Sequence, residues 1–254
     1  MGNSSILKLL AQMSAPRLKA LFAQDPARAA DWVYVAAADG LPQAQLCYGR
    51  MLLEGTGTLK DPVAALQWFR RAARQGDLDA INMAGRCLDN GWGTAEDPAA
   101  AATHFQCAAD SGHAWAQYNL AHMYLGGRGV ARDLSRAYSY YLRAAEQQHE
   151  RAMNLLGRCC EEGWGRSRDP VAAAAWYRRS AEGGYFRGQY NWGSILLEAG
   201  RSDEAALWFE RASLNGTPAV RQAVMELSAR AHASAALQAL AARLQASPPK
   251  VEAA

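Results

Sequence analysis

Lysine is scarce in this chain. Of 27 basic residues only Lys8, Lys19, Lys60 and Lys250 are lysines, and the formal net charge is only +3. Without a basic run or a strong net charge, a nucleic-acid partner is not expected. The abundant arginine is equally suited to planar pairing with carboxylates. Long apolar runs are missing too: no stretch approaches the roughly eighteen uninterrupted apolar residues of a spanning helix, and the mean hydropathy is −0.25. The five cysteines, Cys47, Cys87, Cys107, Cys159 and Cys160, are odd in number and form no C-x-x-C pair, which favours a reducing compartment. The first apolar run, Ile6 to Leu10, is broken by Lys8 and has no small-residue cleavage site after it, and Ile6 stands where myristoylation wants Ser or Thr. A cytoplasmic protein that does not enter the membrane is the expectation.

Catalytic signatures are lacking as well. There is no P-loop, no G-x-S-x-G and no H-E-x-x-H. Ser5 to Lys8 matches S-x-x-K, but neither S-D-N nor K-T-G follows, so the match is by chance. His104, His113, His122, His149 and His232 fall in no metal-ligand spacing. Neither a metal nor any other cofactor is expected, and the chain reads as a non-enzyme.

What the chain does have is a repeat. Asp25, Asp61, Asp97, Asp133 and Asp169 lie at equal intervals of 36, and Pro26, Pro62, Pro98 and Pro170 follow them, with Leu134 as the exception. Gly55, Gly91, Gly127 and Gly163 keep the same phase, as do Gly57, Gly93, Gly129 and Gly165. So do the large residues Trp32, Trp68, His104, Tyr140 and Trp176, and the small pairs Ala36-Ala37, Ala72-Ala73, Ala108-Ala109, Ala144-Ala145 and Ser180-Ala181. Within one unit, Ala44 to Glu54 carries a helical apolar stripe, Gly55 and Gly57 end it, Asp61 is a natural N-cap, Pro62 suits the first helical position and Gly76 stops the second helix. Each unit is therefore helix, turn, helix, turn. One such pair cannot bury its own apolar faces, whereas stacked pairs bury a continuous core. The expected fold is an all-α, right-handed α-solenoid of about six antiparallel helix pairs, with the first helix of each pair lining a concave face.

The expected organisation is an N-terminal arm and degenerate repeat over 1–43, with Ala15 to Phe22 standing in for a first helix. Repeats follow at 44–79, 80–115, 116–151, 152–187 and 188–216, then capping helices within 217–246, at about 218–231 and 234–245, and a disordered tail over 247–254. The fifth repeat has a shortened loop, Glu198 to Ser202.

These phases resemble Sel1-like repeats, a branch of the tetratricopeptide superfamily. The run Ala116 to Val130 carries the resemblance, with the matching runs beginning at Ala44, Ala80 and Ala152 and the Asp-Pro, Trp and Ala-Ala phases of the second helices. The resemblance covers about residues 25–215. It implies a protein-binding scaffold, commonly an adaptor in bacterial signalling, secretion or envelope processes. A cysteine-rich branch of that family staples successive repeats with disulfides. The matching positions here are Ala73 and Ile81, and Ala109 and Gln117, so this chain departs from that branch.

Candidate binding residues follow from the repeat register. Arg50, Arg86, His122 and Arg158 share one first-helix phase. Beside them stand Asn82, Tyr118, Asn154 and Tyr190, then Asn119 and Asn191. Guanidinium forks and amides suit a peptide backbone or a carboxylate. Against this, Arg50 is spaced to pair with Glu54, Arg86 with Asp89, and Arg158 with Glu161 or Glu162 along their own helices. Trp92 and Trp164 occupy loop positions where other copies have Thr56 and Arg128, so the scaffold does not demand them, and exposed Trp is a strong interface anchor. Trp32, Trp68, Trp176 and Trp208 are expected in the core, as are Cys87 and Cys159, whose phase is otherwise Met or Ile. The partner expected is another protein, presenting an extended or acidic segment. The alternatives are a stabilising subunit that uses the convex or cap surface, and an enzyme acting on peptidoglycan-type ligands. RNA binding is disfavoured because Glu54, Asp89, Glu161, Glu162 and Glu198 interrupt any basic face.

Overall fold

A computed structural model describes residues 20, 22–228 and 234–246. The N-terminal arm before residue 20, most of the stand-in first helix, His232 and the tail over 247–254 lie outside those residues. Two compact units meet in sequence between Arg132 and Asp133. The described residues are helical with connecting turns.

The first unit contains α1 (Pro26–Ala38), α2 (Pro42–Glu54), α3 (Pro62–Ala73), α4 (Leu78–Asn90), α5 (Pro98–Asp110) and α6 (Ala114–Gly126). The second contains α7 (Leu134–Glu146), α8 (Glu150–Glu162), α9 (Pro170–Glu182), α10 (Phe186–Glu198), α11 (Ser202–Asn215), α12 (Pro218–Ser228) and α13 (Ala235–Ala246). Within each unit, each helix packs on the next in sequence. This is the α-solenoid arrangement of consecutive pairs that the repeat predicts.

The repeated aspartates start the second helix of each pair. Asp25, Asp61 and Asp97 accept from the backbone N–H three residues on at 3.0, 2.9 and 2.9 Å, and Asp133 and Asp169 do the same at 2.9 Å. Each cap satisfies an orphan N–H at a helix start and contributes about 1 kcal/mol. The backbone N–H of Asp61 and of Asp97 also donates to the preceding first helix, at Leu52 and Leu88, both at 2.8 Å. The loop is thereby tied at both ends.

Two glycine phases set how closely the pieces approach. On the first helix, a Cβ at Gly49 would lie 2.6 Å from the Phe69 ring, and one at Gly85 would lie 2.8 Å from Phe105. In the second unit Gly157 and Gly193 stand in the same way against Tyr177 and Phe209, at 2.6 and 2.8 Å. Each ring presses on a helix that has no side chain there. In the loops, Gly57, Gly93 and Gly129 have φ near +70° and face the backbone carbonyls of Pro26, Pro62 and Pro98. Gly165 faces that of Leu134. This second loop glycine thus seats one repeat on the first helical turn of the preceding repeat's second helix, a contact no Cβ would permit.

The Trp phase is not the core that the sequence leads one to expect. Trp68 is buried, but Trp32, Trp176 and Trp208 are only half-buried. The guanidinium of Arg71 lies 4.4 Å from the Trp68 ring, that of Arg179 4.5 Å from Trp176, and that of Arg211 4.6 Å from Trp208. A large ring at the edge of a helix pair buries one face and offers the other to a cation. The fully buried rings are the next residues along: Phe69, Phe105, Tyr141 and Phe209, with Tyr177 nearly so.

The cap helices cover the last repeat. Val224, Leu237, Leu240 and Leu244 close over Leu196 and Phe209, and Arg221 donates to the Leu244 carbonyl at 2.7 Å. Helices α12 and α13 both contribute to this cluster, and residues 229–233 between them lie outside the described residues.

Candidate polypeptide-binding face

Within each unit the first helices bring predicted polar residues together, and several of their expected intrahelical partners are engaged elsewhere. Arg50 is exposed, and its Nη2 meets Asp79 on α4 at 3.6 Å rather than Glu54. Asp79 also accepts from His113 at 3.3 Å. Asp89, which spacing offers to Arg86, is held at 2.9 Å by Nε of Arg128 from the next loop. Arg128 also pairs with Glu96 at 3.0 Å and donates to the Asp89 carbonyl. Glu161, which spacing offers to Arg158, accepts from the Tyr177 hydroxyl at 2.7 Å. Burial and that carboxylate push the Tyr177 phenol far above its usual range.

The asparagines form cross-repeat pairs. Asn119 on α6 donates through Nδ2 to Oδ1 of Asn82 on α4 at 2.9 Å. Asn191 on α10 donates to Asn154 on α8, also at 2.9 Å. Asn82 and Asn154 are buried, whereas Asn119 and Asn191 are half-buried. Leu46 and Cys47 replace them on α2, so that helix has no such amide.

Trp92 and Trp164 are half-buried rather than projecting. Each ring lies under the arginine of its own first helix: Arg86 is 5.1 Å from the Trp92 centroid and Arg158 is 5.0 Å from that of Trp164. The loop tryptophans and two members of the arginine row, Arg86 and Arg158, read from the sequence as separate features, are one feature. Arg86 also reaches the Met83 sulfur at 3.5 Å. The Tyr118 ring is edge-on to His122 at 4.7 Å and to Trp115 at 5.9 Å. Desolvation holds the His122 imidazole below the ordinary histidine range, with Asp89 pulling the other way. Tyr190 packs partly inward, 5.7 Å from the Phe209 ring.

Two hollows result. One, of about 420 Å³ in the first unit, is lined by Arg86, Asp89, Asn119, His122 and Arg128. The other, of about 310 Å³ in the second unit, is lined by Asn154, Arg158, Glu161, Tyr177, Arg187 and Asn191. The sequence reading missed Arg128, Tyr177 and Arg187 as parts of these walls. The signal for Arg128 was present, since it breaks a loop phase that holds Trp in the neighbouring copies.

Elsewhere in the first unit a more apolar hollow of about 440 Å³ is lined by Arg70, Arg74, Ile81, Thr103, His104 and Cys107. Cys87 and Cys159 are buried as expected, and so is Cys160, but Cys107 is exposed, and all five thiols are free. Burial pushes Cys87 up to about 11 and Cys159 up to about 12. Among the described residues no group of His, Cys, Asp and Glu could hold a metal ion, and no helix is long and apolar enough to cross a membrane.

The Sel1 repeat family model matches residues 42–77, 78–113, 116–149, 150–185 and 187–217. Among solved structures, the chain resembles a Sel1 repeat protein from Oxalobacter formigenes, with 24% identity over 92% of this chain and 98% of that one and a TM-score of 0.79. It also resembles a protective antigen of uropathogenic Escherichia coli strains that displays an SLR fold, with 28% identity and a TM-score of 0.68. That match covers 87% of this chain, which spans about half of the antigen (48%). An immunity protein from Pseudomonas aeruginosa shares the fold, with 16% identity over 81% of this chain and 80% of that one and a TM-score of 0.54. No curated protein matches the chain.

Proposed function

The chain belongs to the Sel1 repeat family, and from that premise we propose that it is a non-catalytic scaffold that binds a partner polypeptide through the face made by its first helices. Repeats of this family commonly serve as protein-interaction scaffolds. The observation that carries the reading is the polar hollow that the first helices of each unit form. Each sets an arginine on a tryptophan beside a cross-repeat asparagine pair. Arg and Trp are the residue types that dominate interface energetics, and a helical frame loses little entropy on binding. The partner is an extended or acidic segment of another protein, and the setting is cytoplasmic.

Partner capture from an extract of the source cell tests the reading, with wild type beside the Arg86→Glu/Arg158→Glu and Trp92→Ala/Trp164→Ala double variants. Loss of the same captured polypeptide with both variants is expected, because each arginine rests on its tryptophan. Unchanged capture by the arginine variant would remove the first-helix face from the account. A second reading, docking on a second-helix side, is favoured by the apolar hollow at Arg70, Ile81 and Cys107. Loss of capture with Cys107→Arg alone would select it.

A further inference from the structure

The two hollows share a set of residues two repeats apart, although their remaining walls differ. Asn82, Arg86, Asp89 and Trp92 in the first unit correspond to Asn154, Arg158, Glu161 and Trp164 in the second, and Asn119 corresponds to Asn191. The other repeats do not carry the set: Tyr118, His122 and Arg128 stand at these positions in the third, and Leu46, Leu53 and Thr56 in the first. The recurring functional element is therefore a pair of repeats, one supplying Asn, Arg, the carboxylate and Trp, the next supplying the second Asn. The asparagine pairs leave a donor and an acceptor unused. Among the described residues, Nδ2 of Asn82 and Oδ1 of Asn119 have no further hydrogen-bond partner, and the same holds for Asn154 and Asn191. None of these four atoms is sealed from solvent. A side-by-side N–H and C=O is the complement of a peptide unit in an extended main chain. Arg86 and Arg128 stand with Asp89 in the first hollow, where Arg128 also pairs with Glu96, and Arg158 and Arg187 stand with Glu161 in the second.

We infer that each unit holds one equivalent clamp for an extended, acidic polypeptide segment: the asparagine pair takes a main-chain amide, and the tryptophan-backed arginine takes the carboxylate beside it. The chain is thus bivalent, with one site in each unit. This rests on the binding face proposed above.

The test is calorimetric titration of the full chain with an N-acetylated, C-amidated octapeptide of alternating aspartate and glycine. Two equivalents bind, with similar affinities. Arg86→Gln weakens one equivalent roughly tenfold, the loss of about one charge-assisted contact, and leaves the other unchanged. Arg158→Gln does the converse. Asn82→Leu and Asn154→Leu each abolish one equivalent. The arginine variants, altered where the side chain reaches solvent, keep the test valid should a buried leucine disturb folding. An uncharged probe of alternating asparagine and glycine binds at least tenfold more weakly, by the same arithmetic. A single equivalent, no saturable binding, equal affinity for the uncharged probe, or loss of both equivalents on altering one hollow overturns the inference. The capture experiment separates the two ideas. If the octapeptide fails while partner capture still depends on Arg86 and Arg158, only the paired-clamp inference falls.

Discussion

Gly112 and Gly129 both have positive φ, yet they do different work. Gly112 has φ of +90° and nothing within 4 Å of a Cβ, whereas Gly129 has φ of +69° and sits against the Pro98 carbonyl. Gly112→Ala therefore meets only the left-handed penalty, about 1–2 kcal/mol. Gly129→Ala adds a backbone clash and loses at least about 1 kcal/mol more. Urea denaturation of the two variants checks the order, and equal losses would contradict the packing role. Cysteines separate in the same manner. Cys107 is exposed while Cys87, Cys159 and Cys160 are buried. Because the thiolate is the reactive form, and burial holds Cys87 near 11 and Cys159 near 12, raising the pH from about 7 to about 9 leaves both protonated. A thiol reagent with mass-spectrometric readout is expected to label Cys107 quickly in the folded protein, and Cys87 and Cys159 only in denaturant. The glycine phases were plain in the sequence, but the reason for the second one was not, because the opposing carbonyl comes from another repeat.

The first helices begin with a cap position that no sequence signature announced. Asp77 accepts from the Ala80 N–H at 2.8 Å, and in the same phase His113 and His149 accept through Nδ1 from Ala116 and Ala152 at 3.1 and 3.2 Å. His113 and His149 stand one repeat interval, 36 residues, apart in the sequence. Their capping role was hidden because histidine is an uncommon N-cap, and the related Asp77 was the only clue. His113→Ala is expected to cost about 1 kcal/mol and His113→Asn much less, since Asn supplies the same acceptor. Thermal unfolding of both variants reads this, and equal destabilisation would remove the capping role. The second helices teach a related lesson. Periodicity identified a large-residue phase, but Trp32, Trp176 and Trp208 stop at half-burial, while in the next phase along Phe69, Phe105, Tyr177 and Phe209 fill the glycine notches. Two neighbouring aromatic phases differ by only 100° around a helix, and only the position of the notch decides between them. Phe105→Ala is accordingly expected to cost about 3–5 kcal/mol, and His104→Ala, one residue earlier in the Trp phase, clearly less.

In a repeat array each helix pair leans mainly on its neighbours, so damage stays local. The cap supplies half of the last cluster, through Val224, Leu237, Leu240 and Leu244. A chain ending at residue 216 is expected to lose amide protection in α10 and α11 while α2 to α5 keep theirs, as hydrogen exchange with mass spectrometry can show. Uniform loss throughout would contradict nearest-neighbour stability. At this scale the fold was legible because the helix and loop phases recur together. The binding face was legible only as rows of residue types, since Arg86 on Trp92 and Asn119 on Asn82 are contacts made by loops and helices that the one-dimensional register leaves apart. The claim on which the function stands is that the first-helix face touches the partner. A photoreactive residue at His122, compared with one at the exposed Cys107, tests it most directly during capture of the partner. Crosslinking from position 122 and none from 107 is the predicted result, and crosslinking from 107 with none from 122 would contradict the account.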